Sequence, residues 1–340
     1  MEVNMDNLAT IQTIKDIKPI PNADSIEVAT VLGWQVVIRK GDFKVGDKVI
    51  YCELDSWIPN KIAPFLSKGQ PREFEGVPGE RLKTAKLRGQ ISQGLILPLS
   101  TLPDYSPDKE YEVGTDVSSQ LGIIKWTKPI PMNMRGVIKG QFPPFIPKTD
   151  EIRIQSEPEL LSKIKGKDVY ITQKIDGTSA TYYIKDGNFG VCSRNLELKD
   201  GDNIYWKIAK EYDLENKLRA LNRNIALQGE IAGPGVQKNT LKLSKIDIFF
   251  FNAFDIDKYK YLDYTSMKSL LDYMGLKMVP LTSIHYSLPV EWTLEQVLSM
   301  SEIEYAPGVM GEGIVIRTMD SDPLISFKVL NNKYLLKNDE

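Results

Sequence analysis

Up to Trp126 the chain alternates short runs rich in β-branched and aromatic residues with turn formers. The runs are Ile26 to Leu32, Trp34 to Ile38, Lys48 to Glu53, Arg81 to Leu87 and Gly94 to Leu97. Pro21-Asn22-Ala23-Asp24, Lys40-Gly41-Asp42 and Val45-Gly46-Asp47 punctuate them. About five short strands spaced in this way predict a small β-barrel over residues 1–128. From Trp126 to Thr149 no period is sustained. Pro129, Pro131, Pro143, Pro144 and Pro147, with Gly136 and Gly140 among them, predict a linker over residues 129–149.

Residues 150–340 follow a different pattern. Ser156 and Glu159 read as a capping box ahead of Leu160, Leu161 and Ile164. Apolar spacing predicts helices from Ile204 to Leu221, Thr265 to Met274 and Thr293 to Met300, the last opened by a Thr293–Gln296 box. Strands are predicted at Val169 to Gln173, Thr178 to Ile184, Ile225 to Ile231, Ile246 to Ile256, Gly313 to Arg317 and Ile325 to Val329. The mixture predicts an α+β domain. The glycine patterns of P-loop and Rossmann sites are absent.

Composition narrows the chemistry. At 340 residues, with 42% apolar and 26% charged side chains, the chain has the make-up of a folded soluble protein of two domains. It shows neither a signal sequence nor an apolar run near the ~20 residues a bilayer needs, so an intracellular protein of cytoplasm or nucleus, without membrane contact, is expected. Cys52 and Cys192 stand alone in unrelated contexts, which excludes a disulfide framework and a thiolate zinc site. The one histidine, His285, excludes two-histidine metal sites and reads as a solvated or core-edge imidazole. Any metal must then be held by oxygens, as magnesium or manganese is. The 43 basic and 45 acidic side chains leave no global field for nucleic acid, so such a partner must be met by local patches.

The informative segment is Lys174-Ile175-Asp176-Gly177-Thr178-Ser179, between two predicted strands. Alone, a Lys-x-Asp-Gly reads as a hairpin turn. Its company changes that reading: Cys192-Ser193-Arg194-Asn195, Gly229-Glu230-Ile231-Ala232-Gly233, the run Phe249 to Ile256, Gly311-Glu312-Gly313 to Arg317, and Phe327-Lys328-Val329. Each lies on or beside a predicted strand. Together they supply a nucleophile, carboxylates, cations and aromatic rings. An amine is a poor nucleophile at neutral pH, so Lys174 needs nearby positive charge or desolvation to shed its proton.

In this order the six segments resemble the covalent nucleotidyltransferases, the superfamily of ATP-dependent ligases and mRNA capping enzymes. The stretch Glu230 to Asn239 is similar to that of RNA ligases. Pro21 to Val28 and Arg39 to Asp47 resemble tRNA-binding-type OB domains, an arrangement found in Deinococcus-type RNA ligases. The resemblance implies an N-terminal OB-like β-barrel and a C-terminal ATP-grasp-like α+β adenylyltransferase domain with antiparallel sheets, over residues 150–340.

It further implies an ATP-dependent RNA ligase that joins 3'-OH and 5'-phosphate ends, nicked duplex included, through a lysyl-AMP and an adenylylated 5' end. ATP is the cosubstrate, Mg2+ or Mn2+ the metal, RNA the partner and a monomer the working form. By the same resemblance Lys174 is the nucleophile and Lys328 the cation at the α-phosphate. Gln173, Ile175, Asp176, Arg153, Arg194, Glu230, Phe254 and Glu312 bind the nucleotide, with Phe254 stacked on adenine. Phe249, Phe250 and Phe251 read as core.

Asp176, Glu230 and Glu312 hold the metal through water, and Ser179 with Arg81, Lys83, Lys86 and Arg88 meets the RNA. Lys238 and Lys333 read as solvated. Related ligases end this last motif in Lys-x-Lys, whereas Leu330 stands at the second position here. A capping guanylyltransferase or a DNA ligase, which usually carries an OB domain after the last motif, and a non-catalytic RNA-binding protein are the alternatives.

Overall fold

In the computed structural model, which describes residues 7–127 and 136–338, two units emerge: 7–127 with 155–158 and 335–338, and 136–154 with 159–334. The first contains β1 (Ala9–Pro19), β2 (Ile26–Val31), β3 (Trp34–Arg39), β4 (Lys48–Cys52), β5 (Ser56–Pro59), β6 (Arg72–Phe74), β7 (Val77–Arg81), β8 (Ala85–Leu87), β9 (Gln90–Ser92), β10 (Leu95–Pro98), α1 (Ser118–Leu121) and β11 (Ile124–Lys125). An antiparallel sheet runs β10-β4-β1-β2-β3. It curls until Gln93 N–H donates to Gln35 O (2.7 Å) and Val37 N–H to Ser92 Oγ (3.0 Å). These two bonds cover part of the β3 edge of a half-barrel whose end strands are β10 and β3. Inside, Trp34 stacks on Tyr51, ring centroids 6.3 Å apart, among Ile14, Val31, Val36 and Ile96.

Strand β1 is absent from the expected set, and its burial explains why. Polar Thr10 and Gln12 are buried as Ala9 and Ile11 are, where Ile11 N–H bonds Thr115 O and Ala9 N–H bonds Ser118 Oγ, each at 2.9 Å. With both faces covered, alternation of polarity no longer marks the inside of a strand. The predicted strand from Arg81 to Leu87 is two strands: Arg81 pairs with Trp57, whereas β8 forms a separate hairpin with β9.

The second unit holds β12 (Ile138–Gln141), α2 (Leu160–Lys163), β13 (Val169–Gln173), β14 (Thr178–Lys185), β15 (Asn188–Cys192), β16 (Leu196–Leu198), α3 (Ile204–Glu211), α4 (Leu214–Ala220), β17 (Ile225–Ala232), β18 (Asp247–Asp255) and β19 (Lys260–Tyr261). It continues through α5 (Tyr264–Tyr273), β20 (Leu281–His285), α6 (Leu294–Met300), β21 (Glu304–Ala306), β22 (Val309–Met310), β23 (Gly313–Thr318) and β24 (Ser326–Leu330). One antiparallel sheet is ordered β12-β16-β15-β14-β17-β18-β19 and a second β20-β13-β23-β24. Helices α3, α4 and α5 cover the first through Tyr205, Ile208, Leu218 and Leu271. Helices α2 and α6 cover the second through Leu160, Leu161 and Val297.

Three expectations are corrected here. The helix expected over Ile204 to Leu221 breaks at Asp213, whose φ of +52° lies outside the helical region. No capping box opens α2, because its N-cap is Glu159 and no side chain bonds there; the Thr293–Gln296 box of α6 is present in full. Part of the expected linker belongs to the folded unit. Ile138–Gln141 pairs with β16, and Phe142 and Ile146 are buried against Tyr183 and Phe254. Pro143, Pro144 and Pro147 follow an edge strand, where a missing N–H costs little, instead of interrupting one. Residues 129–135 of that expected linker lie outside the described residues.

The uncovered sides of the two sheets meet at Arg317, which is 5% exposed on β23. Its guanidinium donates to Ser326 Oγ (2.8 Å), to Phe251 O and Asn252 Oδ1 of β18 (2.7 Å each), and to the Glu151 carboxylate. Asn252 Nδ2 donates in turn to Gln228 Oε1 at 2.9 Å. Removing one member of a buried ion pair strands the other. Arg317→Met should therefore cost about 3–5 kcal/mol of stability in urea unfolding, while exposed Lys258→Ala should cost less than ~0.5 kcal/mol. Equal midpoints for the two variants would remove Arg317 from this role.

Candidate active site

Strand β13 ends at Gln173, and the chain turns through Lys174 to Gly177 into β14. Gly177 is required by close approach: a Cβ there would stand 2.2 Å from Ile231 O and 2.9 Å from Glu230 Cγ. The turn is thus pressed against β17. Lys174 N–H donates to Gly313 O (2.9 Å), and its Nζ reaches both carboxylate oxygens of Glu312, at 2.7 and 2.8 Å. Glu230 sits opposite Ser179 in the β14–β17 register, and Ser179 Oγ donates to Glu230 Oε2 at 3.0 Å. Thr240 Oγ1 donates to Asp176 Oδ2 at 2.6 Å. Lys328 lies on β24, and Arg153 forms a parallel bridge with it, which brings two cations side by side.

Charge is unevenly shared in this cluster. Burial pulls the Lys174 ammonium down, but Glu312, Glu230 and Asp176 together outweigh it and hold its pKa above the ordinary value. Burial pushes Glu230 up to about 7, with Glu312 adding to the rise and Lys174 opposing it. Lys328 is pushed down to about 7, first by burial and then by Arg153 and Lys174. The expectation that positive charge beside Lys174 lowers its pKa is therefore reversed in this state. Two carboxylates flank the amine, and the strain of like charge falls on Lys328 instead.

Lys174, Asp176, Ser179, Glu230, Glu312, Lys328 and Arg153 are brought together. Ile175 is buried beside Ala232 and Val279, with half-buried Phe249, Phe251 and Tyr305 packed on the same cluster. Gln173 is half-buried, its N–H donating to Pro280 O at 2.9 Å. Arg194 is about half exposed, pairs with Asp150, and lies near enough to lower the Glu230 pKa. Ser179, expected to meet RNA, spends its hydroxyl on Glu230.

Phe254 does not fit the role expected of it. It is 1% exposed, enclosed by Phe142 and Ile146 and edge-on to Tyr259 and Tyr261, so it offers no face to a base. The cause lies in β18: Gln228 pairs with Asn252 and Gly229 with Phe250, so Phe251 is the extra residue of a bulge and the faces change parity there. Phe250 is buried on the helix-covered side, whereas Phe249 and Phe251 keep partly open rings near Ile175.

In the first unit the expected basic face divides. Arg81 is paired with Asp55 at 2.6 Å and stacked 4.0 Å over Trp126, which occupies its guanidinium. Lys83 is half-buried; Lys86 on β8 and Arg88 in the turn after it are exposed. Leu330 is buried, Lys333 is paired with Glu302 at 2.6 Å, and Lys238 is exposed. His285 bonds Ser283 and packs edge-on to Trp292.

Sequence reasoning assigned no task to Tyr305, Thr240 or Arg317, all of which bond to this cluster or to its supports. For Arg317 and Tyr305 the available signal was their closeness in the chain to Glu312. Among the described residues no three metal-ligating side chains converge on a bare ion, and no helix is long and apolar enough to cross a membrane.

A family model described as RNA ligase matches residues 167–330, and one described as an OB-fold domain matches residues 8–99. Among solved structures, a mutant of Naegleria gruberi RNA ligase in apo form is 41% identical, with a TM-score of 0.90 and 98% of each chain covered. The same ligase with PPi is 42% identical at a TM-score of 0.89, covering 98% of this chain and 99% of that one. Another of its mutants, with ATP and Mn, is 41% identical at 0.90, with 98% and 99% covered. No curated protein sequence matches the chain.

The depressed pKa of Lys328 sets a sign for stability. Between about 7 and the ordinary lysine value of 10.5 the unfolded chain binds the extra proton, so wild-type stability contributed by this group rises with pH across that window. Lys328→Met removes the buried charge. It should stabilise the protein by on the order of 1 kcal/mol at pH 6, discounted for partial exposure, and by progressively less toward pH 10. Urea midpoints of variant and wild type at pH 6, 8 and 9.5 check this; a gap that widens with pH contradicts it.

Proposed function

The chain belongs to the RNA ligase family, and from that premise we propose that it seals RNA ends with ATP through an adenylate carried on Lys174. The observation that supports this most is the Lys174 amine on the edge of β13, set between Glu312 and Glu230 with Lys328 and Arg153 nearby. In the first step the neutral amine attacks the α-phosphorus of ATP. A P–N bond forms, the bond to the β-phosphate oxygen breaks, pyrophosphate leaves with the electron pair, and the amine proton passes to solvent. Lys328 and Arg153 meet the charge that builds on the phosphate oxygens.

Next a 5'-phosphate oxygen of the RNA attacks the same phosphorus, and Lys174 leaves as it regains a proton. A 3'-hydroxyl then attacks the 5'-phosphate and releases AMP, which restores the free enzyme. Asp176, Glu230 and Glu312 suit a hydrated Mg2+ or Mn2+: they are carboxylates around one ammonium, and their spacing favours contact through water over direct ligation. Such an ion would supply charge neutralisation at the triphosphate. RNA with a 3'-hydroxyl and a 5'-phosphate, including a nicked duplex, is the proposed substrate. Exposed Lys86 and Arg88 of the first unit are the proposed contacts to its backbone.

Labelled ATP with magnesium or manganese should leave AMP on Lys174, seen on a denaturing gel and located by mass spectrometry. Label that persists in Lys174→Met, or that comes from GTP in preference to ATP, would overturn the reading.

For the base, the role passes to Phe251, whose partly open ring lies beside Arg317 at 5.7 Å. Phe251→Ala should weaken ATP binding by on the order of tenfold, as expected for one lost stacking contact. Phe254→Ala should instead cost about 3–5 kcal/mol of stability while the folded fraction binds ATP within about threefold of wild type. Calorimetric titration beside a thermal melt separates the two, and the opposite pattern would return the plate to Phe254.

A further inference from the structure

Tyr305 stands on β21, outside the motifs read from the sequence, yet its hydroxyl lies where three segments of the site cross. The Tyr305 hydroxyl donates to Lys174 O and accepts the N–H of Asp176 (3.1 Å) and of Glu312 (3.0 Å). A phenol has one proton to give and two lone pairs to receive with, so all of its capacity is used on the nucleophile's turn and the start of β23. We propose that Tyr305 is a positioning residue for lysine adenylylation, locking the Lys174 main chain to Glu312 so that the amine points at the α-phosphate. This rests on the reading of Lys174 as the nucleophile.

The geometry makes the coupling direct. Glu312 is held twice, by its N–H on Tyr305 and by its carboxylate on Lys174 Nζ, and Lys174 is held by its own carbonyl on the same phenol. The oxygen closes a ring of bonds from the Lys174 backbone, through Tyr305, to Glu312 and back to the amine. Without it the ring opens at both backbone ends. The aromatic ring itself packs on the cluster of Ile175, Ala232 and Val279. A packing role belongs to that ring and a positioning role to the oxygen, and Tyr305→Phe separates the two.

The test uses the full chain and two reactions measured on one preparation: adenylylation of Lys174 from ATP, and sealing of RNA that already carries a 5'-adenylate. The second consumes no lysine nucleophile. In Tyr305→Phe the maximal rate of adenylylation should fall about tenfold, since alignment of the attacking group is lost. The KM for ATP and the sealing rate should each stay within about threefold. The ratio of the two rates cancels any unfolded fraction, so a poorly folding variant still decides the matter. A ratio equal to that of wild type, or a loss carried by KM instead of the maximal rate, overturns the proposal. A wild-type protein that takes no label on Lys174 overturns the underlying reading instead.

Discussion

A single guanidinium, buried between two antiparallel sheets, holds the second unit in working order. Arg317 belongs to the sheet that carries Lys174, Glu312 and Lys328, yet two of its bonds go to β18 of the sheet that carries Glu230. Neither sheet alone contains the cluster. Its cost is the desolvation of a full charge, offset by Glu151 and by fixed dipoles on every side. A pair of apolar side chains would fill the same space without fixing which carbonyl stands where. The bond to Phe251 O also braces the bulge of β18, so the same arginine that joins the sheets sets the partly open rings beside the amine.

The cluster so assembled is held in a resting state. Lys174 lies among carboxylates that keep it charged, while Lys328 bears the repulsion of two other cations. A charged amine has no lone pair for attack, so in the proposed reaction Lys174 must first lose the proton these carboxylates hold on it. Bringing phosphate charge next to Lys328 and positive charge next to the carboxylates shifts both balances in the productive direction. The charges that the substrate brings are therefore part of what completes the site.

Much of this was legible in the chain. Strands β14, β17 and β18 of the large sheet and β13, β23 and β24 of the second were visible as β-type runs; Lys174 and Glu312 fell beside strand ends, where rigid backbone meets open space, and Glu230 and Lys328 on strands themselves. What stayed hidden had a common cause: residues whose environment is set by distant chain. Polar Thr10 and Gln12 are buried where the segment around Thr115 bonds to β1. Phe254 looks available until Phe142 and Ile146, from a stretch that reads as linker, close over it. The bulge at Phe251 has no mark in composition, since any of three consecutive phenylalanines would read alike. Tyr305 acts through an oxygen whose three partners are all main-chain groups, and main-chain groups leave no signature in sequence.

Glu151 precedes the first helix of the second unit, yet its carboxylate accepts from Ser326, 175 positions later, on β24. Arg153 bridges Lys328 from the same early segment. Contacts of such separation form late, because the intervening chain must be ordered before they repay the entropy of closing so long a loop. During synthesis, then, Lys174 is made well before Lys328 of β24, the cation that presses on it in the folded cluster. The charge balance around Lys174 is therefore set only when β24 joins the sheet, so the cluster comes into being as one late event of folding.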